Sequence, residues 1–484
     1  MQTLKQNLLS FGKTELNTIM VAVFLFLLSL STFLIGLNGW IFLVFLICCL
    51  PFIWLAPQAG ILAALFITMI FGDHFSLMPL KLEDTIYKVY AIDFVLVLSF
   101  IIWFFKQEIG GVKIKNIASK KNNWLFVFFV LIVLNLIRSL LITNVDMSLA
   151  LATFKNYSYL LLYFIILFMF PTQKDILRLV KILIWAGLPL LFFVIFGLLS
   201  GHGLWSELTP GQRYLSGLHS YYLTFSLVAL LFFISSGSYL WGRIKTLLVF
   251  LLQLAGLIGG MFRHLWLGVL VAFSYLFFMM KVGHKKRIFK ISGASLFLII
   301  AIITAFLWGT GTFGAETNFL ESKFITSVTG RITSLYQTGY LIESAAGWRL
   351  ETWQVALHKF LENPFFGIAF GQKFFFEYRG FVDLVDIRNI HNDFMSLLVQ
   401  LGIFGFLPFL IFSFLQFKDL KKVIKKGGAA TKALANIFMA WWLVAAFGVF
   451  FALYLMFNGT SIFYWTLMAM ISILVKNEKL KVKK

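Results

Sequence analysis

His391 and Asn392 stand where a long polar stretch gives way to an apolar run of membrane-spanning length. An ordinary imidazole pKa of about 6.5 lets a histidine take a proton from a hydroxyl in a transition state, a contribution of about 10²–10⁴-fold. A histidine in a loop is otherwise a solvated surface residue, so its position at the mouth of a helix bundle is what gives it weight. Asp393 is only two residues away and is not assumed to orient the ring. Six of the ten arginines, Arg213, Arg263, Arg331, Arg349, Arg379 and Arg388, lie in the same or neighbouring non-cytoplasmic loops or beside them, whereas most of the 31 lysines do not. Long translocated loops escape the charge rule, which alone permits such a pattern. A guanidinium also grips two phosphate oxygens at once where lysine is a point charge, which points these arginines toward an anionic ligand. Asp93, Arg138 and Lys155 form a third group, inside apolar runs. Ionisable groups at that depth are costly unless they pair or line a polar cavity. The expectation is a buried ion pair of Asp93 with Arg138 or Lys155, which is compatible with the wall of an outward-opening hydrated cleft.

The elements that position these residues follow from composition. A chain of 484 residues, 60% hydrophobic and 13% charged, with mean hydropathy +0.91, is no water-soluble protein. A spanning helix needs about 20 apolar residues. By that measure about fourteen spans are expected, near 19–36, 40–55, 58–72, 86–105, 124–142, 149–170, 179–199, 219–237, 246–262, 264–280, 291–308, 394–416, 434–456 and 460–475, with twelve possible because four are short. The first apolar run is too long for a cleaved signal peptide and no small-residue cleavage site follows. Every second loop is strongly basic, so the positive-inside rule puts both termini in the cytoplasm and leaves the formal charge of +21 mostly a matter of topology. The same count excludes a nucleic-acid-binding role. The fold class is therefore all-α, a polytopic transmembrane bundle. Residues 1–308 carry spans 1–11, 309–391 form one large extracytoplasmic loop, and 392–484 carry spans 12–14 with a cytoplasmic tail. A smaller outer loop runs from Gly201 to about Leu218. Cys48 and Cys49 are adjacent in an apolar run and read as packing residues. The sequons at Asn156 and Asn458 read as coincidental, one in a span and one in a short turn.

Within the large loop, GWRLETWQVALHKFLENPFFGIAFG (347–371) predicts an amphipathic helix with an apolar stripe of Leu350, Trp353, Leu357 and Phe360/Leu361. Glu351 suits its N-terminal dipole, Asn363-Pro364 ends it, and Gly367 and Gly371 permit tight turns. Such a helix either lies on the membrane surface or covers a cavity.

RYLSG at Arg213, RHLWLG at Arg263, the 347–371 stretch and HNDFMSLLVQLGIFG from His391 together resemble the bacterial O-antigen ligase and O-antigen polymerase superfamily. The resemblance occupies about 205–405. It implies transfer of a glycan from a polyprenyl (undecaprenyl) diphosphate carrier to a glycan or lipid-glycan acceptor, on the outer face of the bacterial inner membrane. No metal, cofactor or nucleotide sugar is implied. It maps diphosphate binding onto Arg213 and Arg263 and the essential histidine onto His391. Arg349 and Asn392, from their place in the outer loop, and Arg138, Lys155 and Asp93, from their charge within apolar runs, are further candidate substrate or cleft residues. The chain departs from the pattern at Leu218-His219-Ser220-Tyr221, where many members show Pro-Asn, and at Phe262, where a small hydroxyl residue is common. Few outer carboxylates (Glu316, Glu321, Glu343, Asp383, Asp386) argue against a two-carboxylate retaining mechanism, so an inverting single displacement is expected. A polymerase of surface polysaccharide is preferred to a ligase. A transporter of lipid-linked oligosaccharide is the reading from another class, disfavoured because no inverted repeat and no midplane site are visible.

Overall fold

The computed structural model describes residues 12–35, 39–72, 80–82, 85–87, 90–110, 119–143, 145, 147–200, 203, 213–280, 282–286, 345–378, 381–386 and 390–482. The expected span 291–308 and the loop residues Arg331, Arg379, Arg388, Glu316, Glu321 and Glu343 lie outside them. Described helices are α1 (Lys13–Ile35), α2 (Gly39–Leu55), α3 (Pro57–Phe71), α4 (Ala91–Ile109), α5 (Lys120–Leu141), α6 (Met147–Ser158), α7 (Leu161–Met169), α8 (Gln173–Ala186), α9 (Leu190–Ser200), α10 (Gly217–Ser236), α11 (Arg243–Gly259), α12 (Arg263–Met279), α13 (Ala345–Glu362), α14 (Asp393–Lys426), α15 (Ala429–Phe451) and α16 (Asn458–Val482). Two antiparallel hairpins are added, β1 (Leu80–Leu82) with β2 (Thr85–Tyr87) and β3 (Lys373–Tyr378) with β4 (Phe381–Asp386). Among the described residues, eight helical stretches are long and apolar enough to cross a membrane, and α2, α3 and α12 are shorter apolar helices. The chain is thus an all-α polytopic bundle, as its composition requires.

Two compact units divide the chain. One comprises Met1–Ser10, Val180–Gln337 and Asn436–Val444, and the other Phe11–Leu179, Thr338–Ala435 and Ala445–Lys484. In the first, α10 is buried on all sides along almost its whole length, with α11 and α12 packed on it. In the second, α16 is the buried helix, and α3, α7 and α14 pack against it. A closed polar network sets their register. Lys121 Nζ donates to Gln416 Oε1 at 3.0 Å and lies 3.4 Å from Asp419, Gln416 Nε2 donates to Ser472 Oγ at 2.8 Å, and Tyr163 donates to Asn122 Oδ1 at 2.7 Å. Such a network is favourable because its members satisfy one another.

Three expected spans are broken. The 149–170 run divides at Tyr159–Leu160 and the 179–199 run at Gly187–Pro189, where i→i+3 turns such as Leu188 N–H to the Trp185 carbonyl (3.0 Å) keep the backbone paired. The third break is sharper. Gly402, at φ 64 and ψ −171, splits α14 and strips the carbonyls before it and the N–H groups after it of helical partners. Residues just past α13 replace them. Ile368 and Ala369 donate to the Val399 and Gln400 carbonyls (2.9 and 3.3 Å), while the Pro364 and Phe365 carbonyls accept from Ile403 and Phe404 (2.9 and 3.1 Å). This backbone contact is close because two glycines face each other. A Cβ on Gly367 would lie 2.5 Å from the Gln400 carbonyl, and one on Gly402 would lie 2.3 Å from the Phe365 oxygen.

The helix expected in 347–371 is α13, ended by Asn363-Pro364, but the apolar stripe divides. Thr352 and Ala356 are fully buried, and Trp348, Trp353 and Phe360 pack with them on Phe374, Phe376, Ile390 and Val399. Leu350, Leu357 and Leu361 stay exposed. Small side chains at 352 and 356 let the helix approach closely, which rotates the leucines away from the core.

Gly402→Ala combines an unfavourable positive φ with a backbone clash and is expected to cost about 3 kcal/mol or more. Gly428→Ala, where a Cβ meets nothing within 4 Å, serves as the control. Thermal unfolding of both variants in detergent checks this, with a large downward shift expected for the first alone.

Candidate active site

His391 is held by its chain neighbours. The Ile390 carbonyl accepts from Trp353 Nε1 at 2.6 Å, and Asn392 caps α14 by accepting from Met395 N–H at 2.9 Å. Between these anchors His391 adopts φ 53, a left-handed conformation uncommon for a residue with a Cβ. Its ring is half-buried, edge-on to Trp348 of α13 at 6.2 Å. Burial, and secondly the positive charge of Arg349, lower the imidazole pKa to about 4. At neutral pH the ring is therefore uncharged and able to accept a proton. Arg349 follows Trp348 on this helix, so α13 supplies both the ring that packs His391 and the charge that helps to keep it neutral.

Asp393 does not orient the histidine. Its Oδ2 accepts the backbone N–H groups of Tyr454 and Leu455, at 2.5 and 2.9 Å, and its own N–H donates to the Ala452 carbonyl at 3.2 Å. It thereby fastens the turn between α15 and α16 to the start of α14. Tyr454 in that turn also feels the charge of Arg349. It was not singled out from the sequence, because only the fold brings residue 454 to the 391 region.

Of the charged residues expected in spans, Asp93 pairs with Lys155 (2.8 Å), and the pair is fully engaged. Asp93 also accepts from Tyr159 Oη (2.7 Å) and Tyr90 N–H (2.9 Å), while the Lys155 ammonium lies 3.4 Å from the centre of the Tyr90 ring. Arg138 stands apart from that pair. Its Nη1 donates to the Phe366 and Gly367 carbonyls, both at 2.9 Å, beside Asn135 Nδ2 on the Gln400 carbonyl (3.0 Å) and Ser139 Oγ accepting from Phe370 N–H (2.8 Å). Asn135, Arg138 and Ser139 recur at helical spacing on α5, a face that holds the Gln400 carbonyl and the 366–370 backbone. Asn135 and Ser139 were not foreseen, since single polar residues in an apolar run carry no signal of their target. Asn156, in one of the two sequons, bonds the Met456 carbonyl, and Asn458, in the other, donates to Tyr90 Oη at 2.9 Å.

In the other unit, Arg213 packs on Phe262, the residue before Arg263. The Arg213 guanidinium carbon lies 4.5 Å from the centre of the Phe262 ring, and Arg263 follows Phe262 as the first residue of α12. The turn before α12 is sharp, with Met261 at φ 58. It is clamped by Tyr214, whose N–H donates to the Gly259 carbonyl at 2.9 Å and whose ring fills the space where a Cβ on Gly197 or Gly259 would be. Trp266 Nε1 closes it on the Leu257 carbonyl at 2.9 Å. The departure at Phe262 thus supplies the platform for Arg213. His219 is buried and stacks on Phe193 at 5.8 Å. Arg263 is itself the first residue of α12, whose N-terminus carries partial positive charge.

A model of the family described as O-Antigen ligase matches residues 248–410, about a third of the chain. The matched stretch contains Arg263, Arg349, His391 and Asn392 and stops short of Arg213 and of the Asp93–Lys155 pair. It supports the O-antigen ligase/polymerase superfamily read from the sequence, and with it a membrane enzyme of the glycosyltransferase kind acting in surface polysaccharide assembly. No curated protein matches the chain.

Removing the positive neighbour by Arg349→Gln favours the protonated imidazole, so the His391 pKa should move upward from about 4 yet stay below 6.5, because burial remains. NMR titration of the ¹⁵N-histidine-labelled protein and its His391→Gln counterpart measures the shift.

Proposed function

We propose that this chain transfers a polyprenyl-diphosphate-linked oligosaccharide to a sugar hydroxyl on the extracytoplasmic face of the bacterial inner membrane, polymerising surface-polysaccharide repeat units. The observation that carries the reading is a neutral, half-buried histidine beside an arginine, held in a strained turn inside the family-matched stretch. In this reading the acceptor oxygen attacks the anomeric carbon from the face opposite the diphosphate. The C–O bond to the diphosphate breaks and its electron pair leaves with the carrier. The acceptor proton passes to the His391 imidazole, and Arg213 and Arg263 offset the charge that grows on the leaving diphosphate. Preorganised charge of this kind is usually the largest catalytic contribution, and it reduces the need for a general acid because the leaving group is already good. Attack from the opposite face inverts the anomeric centre.

Arg349 raises the acceptor site's positive potential and keeps the base unprotonated, so its loss should lower transfer less than the loss of His391. Arg138 and Asn392, on this account, act by holding the backbone around the site, and the Lys155–Asp93 pair by fixing α4 against α6.

His391→Ala should insert into the membrane normally and lower glycan transfer by about 10²–10⁴-fold, the usual worth of a general base. Transfer from a purified lipid-linked donor in proteoliposomes is the measurement, and near-normal product would remove His391 from the mechanism. In the same assay Arg263→Lys keeps the charge and loses the two-oxygen grip, so activity should fall; full activity would mean that charge alone suffices. In cells, loss of a polymerase leaves single repeats on the surface acceptor, whereas loss of a ligase leaves long chains on the carrier, and the first outcome is expected.

A further inference from the structure

Leu350, Leu357 and Leu361 lie on one line of α13 and are 52%, 43% and 61% exposed, and Phe365 and Phe366 beyond its end are 55% and 62% exposed. A contiguous patch of this kind on a water-facing loop would be unfavourable and marks an interaction surface. Its continuation identifies the partner. The rings of Phe365 and Phe366 lie 5.6 and 5.3 Å from that of Phe404, which is itself 48% exposed on α14. The exposed line then runs down α14 through Leu407 and Phe414. On α5, Arg138 holds the carbonyl of Phe366, and Leu141, one turn further along that span, is exposed. Both α5 and α14 are long and apolar enough to cross a membrane, so their exposed apolar side chains face hydrocarbon. Phe365 and Phe366 belong to that same surface at the same level.

The rest of α13 divides accordingly. Thr352 and Ala356 face the protein, Glu351, His358 and Glu362 are exposed on the polar side, and the leucine line falls between the two. A helix with these three sectors fits an interface plane. The backbone of 363–370 can tolerate this depth because its polar groups are bonded to the break in α14 and to α5, as non-helical backbone at membrane level requires.

We propose that the partner of this patch is the lipid leaflet at the Asp393 end of α14: Phe365 and Phe366 sit among its acyl chains, and α13 lies along its surface on Leu350, Leu357 and Leu361. The 363–370 segment is then a re-entrant element of the membrane domain, and it fixes the height of α13, and so of Trp348 and Arg349, relative to the bilayer. The proposal does not depend on the glycosyltransfer reading.

The test uses the full chain with Cys48→Ala and Cys49→Ala, carrying one further change: Leu357→Cys, Leu361→Cys or Phe366→Cys, with Leu407→Cys as the lipid reference and Glu351→Cys and Glu362→Cys as water references. Each variant, selected for monodisperse elution, is nitroxide-labelled and reconstituted in phosphatidylcholine–phosphatidylglycerol vesicles. Collision with oxygen and with a water-soluble nickel chelate is then measured. The oxygen-to-nickel ratio at 366 should match that at 407, and at 357 and 361 it should be several-fold above that at 351 and 362. Ratios at 357, 361 and 366 equal to the water references would overturn the proposal. Shielding from both reagents would overturn it as well, by showing that protein covers the patch.

Discussion

The break at Gly402 is the constraint on which the site-bearing unit depends. A bilayer offers no water to a backbone that leaves its helix, so every carbonyl and N–H freed there must find a partner in the protein. The 364–369 backbone meets that demand reciprocally, giving two N–H groups and two carbonyls to one break. The same segment follows α13 and precedes the β3–β4 hairpin that leads to His391. One set of backbone bonds therefore locks the helix carrying Trp348 and Arg349 to the helix that His391 introduces. Arg138, Asn135 and Ser139 close the contact from α5, which explains charge and polarity inside a span without assigning them to a ligand.

The electrostatics follow from that rigid frame. A histidine turned into the protein beside a guanidinium loses its proton readily, since both burial and the neighbouring charge disfavour the imidazolium. Its conformation, left-handed and pinned on either side by Trp353 and Asn392, is the type of local strain that a packed surrounding must sustain. At Arg213 and Arg263 the sequence has a different solution. There a buried Tyr214, seated between Gly197 and Gly259, shapes a turn on which an aromatic ring backs one arginine and a helix start presents the next.

Much of the fold was legible because hydrophobic length is a strong signal. Thirteen of the fourteen expected windows fall on described helices, and the remaining one, 291–308, lies outside the described residues. The breaks were not legible, since Gly187, Tyr159 and Gly402 sit in runs apolar enough to read as continuous. The amphipathic helix was found from its spacing and its Asn-Pro stop. Its expected stripe holds for Trp353 and Phe360 and fails for the leucines, because periodicity weighs Leu above Thr352 and Ala356 whereas close packing selects the small residues. His391 and Asn392 stand out as polar types at a span mouth, and Arg349 as an outer-loop arginine at the start of the amphipathic helix. Tyr454 and Asp393 acquired their places only through contacts across some sixty residues of sequence, which no local pattern encodes.

The central claim is a single displacement at an anomeric carbon. It is tested most directly by reconstituting the purified protein with a lipid-diphosphate-linked donor of defined anomeric configuration and assigning the new glycosidic linkage by NMR. The account predicts a linkage of opposite configuration to the donor. Retention of configuration, or movement of the intact donor across the bilayer with no new linkage formed, would contradict it.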